Sequence, residues 1–204
     1  MGLVLVVVLA AAAVAAVSGG SWESLNAATL RAKRLVILAV LAQLLGAVLA
    51  DHGAGSRWYP AGLAASAACA LAFCAWNLRV AGVPLVALGL ISNAVVVALN
   101  GAMPVSIDAA SRAGVSTLTI ATGNDPRHTI AGYGSVWRSL GDVIPVPLPA
   151  VPEVVSAGDV LVAAGLAEFV IMTARRRRDD EPADQVGDGA PHASHALSTI
   201  ARRS

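Results

Sequence analysis

Five runs of almost unbroken apolar residues, at 2–17, 35–50, 61–76, 85–99 and 160–174, restrict this chain more than any other feature. At about 1.5 Å of rise per residue, each makes a helix of about 22–24 Å, marginal for the roughly 30 Å hydrocarbon thickness of a bilayer, with local thinning covering the shortfall. Lipid offers no hydrogen bonds to backbone groups, so such a run must satisfy them within itself as a helix. The expected fold is therefore an all-α membrane protein, a bundle of about five transmembrane helices with one long extracytoplasmic loop between the fourth and the fifth. Composition agrees. Of 204 residues 56% are apolar and only 13% charged, against about 25% charged in ordinary soluble domains. Ala, Val and Leu dominate with few aromatics, which suits close helix packing in lipid. No basic patch with interleaved aromatics supports nucleic-acid binding.

Charge placement sets the expected orientation. No Lys or Arg precedes the first run, whereas Arg31, Lys33 and Arg34 follow it. A cleaved secretory signal wants a basic leader, so an uncleaved helix with its N-terminus outside is expected. Arg79 and Arg175 to Arg178 then fall on the cytoplasmic side. Short-loop Lys/Arg counts are what the positive-inside rule weighs. The localisation expected is the cell membrane, multi-pass, with the C-terminus cytoplasmic. The domains follow as a membrane domain at 1–175, an extracytoplasmic cap at 100–159 within it, and a disordered cytoplasmic tail at 176–204. The tail is rich in Asp, Pro, Gly and Ser with little to bury, and its His192 and His195 read as solvated. Polar sequence at 21–34 is expected to lie at the interface, with Trp22 and Leu25 dipping into lipid. Trp58 and Tyr59 read as interface anchors.

Few polar side chains sit inside the runs. Gln43, Asn93 and Glu168 are the notable ones; the two amides are expected to hydrogen-bond across helices and Glu168 to reach the inner interface or an arginine. Cys69 and Cys74 are five apart on one helix and cannot bridge each other, so both read as small buried hydrophobes.

The segment 100–159 carries most of the unusual polar chemistry. Asn100-Gly101 reads as a helix stop and Pro104 as a break. Ser106 is placed to cap a short helix with Asp108 in its first turn and Gly114 beyond its end. Residues 115–121 are either a buried extended piece or an interfacial helix. Gly123 to Pro126 is a turn. Tyr133 and Trp137, four apart, would give a helix over 129–140 one aromatic stripe facing lipid or the helix tops. Prolines at 145, 147, 149 and 152 predict an extended polyproline-like path over 144–152 without regular hydrogen bonding. Ser156 or Asp159 is available to cap the last helix.

The order Asn-Gly-x-Met-Pro-Val, a histidine, Leu-Gly-Asp-Val-Ile-Pro, then Ser-x-Gly-Asp-Val resembles a family of small multi-pass bacterial membrane proteins catalogued only as a domain of unknown function. The resemblance rests on Asn100, Gly101, Met103, Pro104, His128, Leu140, Gly141, Asp142, Gly158 and Asp159, and covers about residues 1–175. It implies an integral membrane protein without an assigned activity.

The candidate functional residues are Asn100, Pro104, His128, Asp142 and Asp159. One reading makes the segment a structural or ligand-binding lid over the helix tops, with a small molecule or protein as partner at the outer face. A second is a small-molecule or ion transporter. A third is a membrane-surface enzyme in which His128, Asp142 and Asp159 converge as acid/base groups or metal ligands at the outer interface. No catalytic, phosphate-binding or metal-ligand motif is present, and no cofactor is expected.

Overall fold

The computed structural model describes residues 2–19, 29–51, 58–123, 125, 127–149 and 151–179. Most of the interfacial stretch with Trp22 and Leu25, the turn before Trp58, the arginine side chains at 176–178 and the tail lie outside the described residues.

The chain is mostly helical. Seven α-helices and four three-residue strands occur among the described residues: α1 (Gly2–Val17), α2 (Arg34–Asp51), α3 (Trp58–Trp76), α4 (Val83–Asn100), β1 (Met103–Val105), α5 (Ile107–Ala113), α6 (Leu118–Ala121), β2 (His128–Ile130), β3 (Ile144–Val146), β4 (Glu153–Val155) and α7 (Ala157–Asp179). Two stretches, Val83–Asn100 and Ala157–Arg175, are long and apolar enough to cross a bilayer; the apolar parts of α1, α2 and α3 are shorter.

The long helices assemble as two groups, α2 with α3, and α7 with both α4 and α1, joined where α3 meets α4. Cys74, Val83 and Ala87 are buried at that junction, against Phe73, Val80, Val86 and Leu90. Glycines set the spacing within each group. A Cβ built on Gly46 would lie 2.8 Å from the Gly62 Cα, and one on Gly165 would lie 2.8 Å from the Val86 backbone nitrogen. Gly89 and Gly158 likewise bring α4 and α7 into backbone contact. Small residues at facing positions let dispersion contacts and backbones approach as bulky side chains would not. Cys69 and Cys74 are both free, as expected.

The cap departs from an all-α fold. β1 pairs in parallel with β2, matching Met103 with His128 and Val105 with Ile130, while β3 pairs antiparallel with β4, matching Ile144 with Val155 and Val146 with Glu153. Two expectations are corrected here. The helix over 129–140 is absent: β2 extends to Ile130, turns follow, and only Arg138–Leu140 makes one 3-10 turn. Pairing with β1 takes the first residues, and Gly132 and Gly134 interrupt what remains. The proline segment does carry regular pairing over Ile144–Val146. Prolines at every second position present their missing donors to one side only, so the strand's other side keeps its amides for β4. Residues 115–121 resolve to a single exposed helical turn, α6, with Leu118 at 67% exposure. The short helix α5 is as read, with Ser106 Oγ accepting from the Ala109 N–H at 3.3 Å and Gly114 closing it.

Candidate functional site in the cap

β1 is the spine of the cap, and Pro104 is its centre. The Met103 N–H donates to the Arg127 carbonyl at 3.0 Å and the Ala131 N–H to the Val105 carbonyl at 2.9 Å, so alternate residues bond β2. Pro104 therefore faces the other way, where its lack of a donor costs nothing. On that side its carbonyl accepts the Asp142 N–H at 2.8 Å, and the Ser106 N–H donates to the Asp142 carbonyl at 2.9 Å. Gly141 makes this approach possible, because a Cβ there would lie 2.5 Å from the Pro104 oxygen. The Leu-Gly-Asp sequence is thus a docking element: the glycine admits the chain to β1 and the aspartate bonds it.

That docking sets Asp142 beside His128. The Asp142 Oδ2 lies 3.6 Å from His128 Nε2, and on the far side of the ring Asp125 Oδ2 is 2.8 Å from Nδ1. The three sit at different depths: Asp142 is buried, the Asp125 side chain is 14% exposed and that of His128 30%. Burial pushes the Asp142 carboxyl up to about 7, helped by the negative charges of Asp159 and Glu153. Asp125 goes the other way: although burial opposes it, hydrogen bonds from His128 and the Arg127 amide hold it below the ordinary carboxylate range.

Asp159 belongs to a second group. Its Oδ2 accepts the Ser156 N–H at 3.0 Å while its own N–H donates to Ser156 Oγ at 3.0 Å, a reciprocal capping box at the start of α7. Asn93 of α4 closes the ring, donating to Asp159 Oδ1 at 2.8 Å and accepting from Ser156 Oγ at 2.9 Å. Asn93 therefore bonds across helices, as read from the sequence, and it ties α4 to the first turn of α7. Gln43 and Glu168 are exposed. Asn100 pins a third point: its amide donates to the Val136 carbonyl at 3.0 Å and accepts the Val136 N–H at 2.8 Å.

Of the residues singled out in the sequence, then, His128, Asp142 and Pro104 come together, Asp159 serves the helix cap, and Asn100 anchors the loop. Asp125 and Ser156 complete the two groups. Asp125 was hidden inside a Gly-Asn-Asp-Pro turn, and its one legible signal was an aspartate three residues before the histidine. Among the described residues, no group of three or more His, Cys, Asp or Glu side chains is arranged to hold a metal ion.

The chain matches Family of unknown function (DUF5317) over residues 27–171. It belongs to that family. The DUF5317 match takes in α2, α3, α4 and the whole cap and ends within α7, leaving α1 outside. No curated protein and no solved structure matches the chain.

Proposed function

We propose that the chain is a five-span protein of the cell membrane, with its N-terminus outside and its C-terminus cytoplasmic, whose cap at 100–159 is a structural or ligand-binding lid latched through His128 and Asp142. The observation that carries the membrane reading is the outward face of the helices. Leu41, Leu44 and Leu45 of α2 are 55%, 58% and 59% exposed, and only 22% of each long apolar stretch is buried. A core helix of a soluble protein hides such residues, whereas lipid accepts them.

The helix ends support five spans in alternation. Glu153 of β4 accepts from the Gly2 and Leu3 N–H groups, which keeps the start of α1 at the cap. At the opposite end Asn77, just past α3, bonds the backbone of Arg31 on both sides, accepting from its N–H at 2.8 Å and donating to its carbonyl at 3.0 Å. That end holds Arg31, Lys33, Arg34 and Arg79, and α7 runs toward it to reach the arginines at 175–178. The concentration of cations there favours it as the cytoplasmic side, with 1–175 as the membrane domain and 176–204 as the tail.

Within this frame a lid fits better than a transporter or an enzyme. The cavity of about 270 Å³ between α2, α3, α4 and α7 has an apolar lining relieved only by Gln43 and Ser66. Asn93 is engaged in the helix clamp rather than facing it. Both carboxylate oxygens of Asp159 are engaged as well, so a catalytic reading retains only His128 with Asp125 and Asp142.

Cysteine labelling tests the topology. In a Cys69→Ala, Cys74→Ala background, a membrane-impermeant maleimide is expected to label Ser139→Cys in intact cells and Arg79→Cys only after permeabilisation; both positions are exposed. The reverse pattern overturns the orientation, and labelling of both in intact cells overturns the spanning arrangement.

A further inference from the structure

The turn at 132–138 carries an exposed aromatic patch on a strained backbone. Tyr133 is fully exposed and Trp137 is 56% exposed, with Val136 and Arg138 exposed between and beside them. Trp137 nonetheless adopts a left-handed backbone, φ 50 and ψ 43, one of two such non-glycine residues described. A bulky residue is a true outlier there and persists only where its surroundings enforce it. Asn100 enforces it: both backbone groups of Val136, the residue before Trp137, are bonded to the Asn100 amide. Asn100 is the last residue of α4, and its amide also donates to the Val96 carbonyl at 2.8 Å. The aromatic turn is thereby fixed at the height where a long apolar helix ends.

We propose that the turn at 132–138 is a lipid-interface anchor, seating the cap on the headgroup region of the outer leaflet through Tyr133, Trp137 and Arg138. This rests on the membrane reading above. Three properties of the patch point to a phospholipid surface. It is continuous with the end of α4, where the hydrocarbon region stops. Its rings are amphipathic, and Tyr and Trp are enriched at that depth. Arg138 offers a guanidinium to lipid phosphate, a planar donor suited to such an oxyanion. Trp137 is 56% exposed, and Asn100 acts as the positioning residue that sets its depth.

The experiment uses the full chain with Trp22, Trp58 and Trp76 replaced by Phe, leaving Trp137, reconstituted in phosphatidylcholine vesicles containing lipid brominated close to the headgroup. Trp137 emission is expected to be largely lost to the brominated lipid and to respond weakly to aqueous iodide. Adding Asn100→Ala is expected to lower the bromine quenching and raise the iodide quenching. Strong iodide quenching without bromine quenching places the turn in solvent and overturns the proposal. Indifference to both quenchers means that protein covers the ring, a second copy included, and overturns it equally. A parallel protein keeping only Trp76, at the end of α3 and 59% exposed, separates the two levels. If Trp76 is quenched by brominated lipid and Trp137 is not, the anchor falls and the membrane reading stands; if neither is quenched, both fall.

Discussion

Gly82→Ala is expected to lower the unfolding midpoint of the protein in detergent far more than Gly101→Ala does. Both glycines adopt left-handed backbones, with φ of 82 and 77. Around Gly101 a Cβ would meet nothing within 4 Å, so an alanine there pays the conformational cost alone. At Gly82 the same Cβ would run into the Gly165 carbonyl and lie 2.7 Å from the Phe169 backbone nitrogen. Backbone strain and overpacking each cost about 1–3 kcal/mol, so Gly82→Ala should lose roughly 2–6 kcal/mol and Gly101→Ala only the first share. The obstacle at Gly82 is backbone, which cannot rotate aside as a side chain would. Chemical unfolding of both variants reads the difference. Equal losses would mean that α4 and α7 do not depend on this contact.

The second large effect is on pH. The Asp142 carboxyl is pushed from 3.8 to about 7, so the folded protein holds its proton more tightly than the unfolded chain. The stability this confers is fully present below 3.8 and is lost as pH rises through about 7. Three pH units of difference correspond to about 4 kcal/mol, an upper figure for one buried group. The groups facing Asp142 are the His128 ring and the carboxylates of Asp159 and Glu153, and the like charges deepen the cost of ionisation. Asp142→Asn imitates the protonated form. Its unfolding midpoint is expected to exceed that of the wild type above pH 7 and to change little across the window in which the wild type declines. A wild-type midpoint that is flat across this window would show that Asp142 titrates normally. Glu153 bends the profile the other way: it is held below its ordinary value, against the pull of burial, by the Gly2 and Leu3 amides, so its contribution fades as pH falls.

How much of this was legible depended on the range of the interaction. The five apolar runs were readable because hydropathy and length are local properties, and each run is helical. The cap's helix boundaries were readable for the same reason: Ser106 three residues before the Ala109 amide, and Ser156 three before Asp159, are short-range capping geometries. Strand pairing was not readable. Met103 meets His128 across a separation that no spacing rule encodes, and the three-residue partners are too short to show an alternation. Tyr133 and Trp137 misled because four-residue spacing is a helical signature only if the intervening residues favour a helix, and Gly134 does not. Pro145 and Pro147 misled in the opposite sense, since one-sided donor loss is compatible with a paired edge. At the site, the structure brings His128, Asp142 and Pro104 together and leaves Asp159 in the local cap with Ser156, while the bond from Asn93 to Asp159 is a tertiary fact that no spacing announces.

The proposed latch joins His128 to Asp142 across the cap. A double-mutant cycle with His128→Gln, Asp142→Ala and the pair, scored by unfolding below pH 7, tests it most directly. A working latch predicts a coupling energy of about 0.5–3 kcal/mol between the two changes, because each single variant already breaks the shared contact. Losses that simply add, to within roughly 0.3–0.5 kcal/mol, would show the two side chains to be neighbours without a latch.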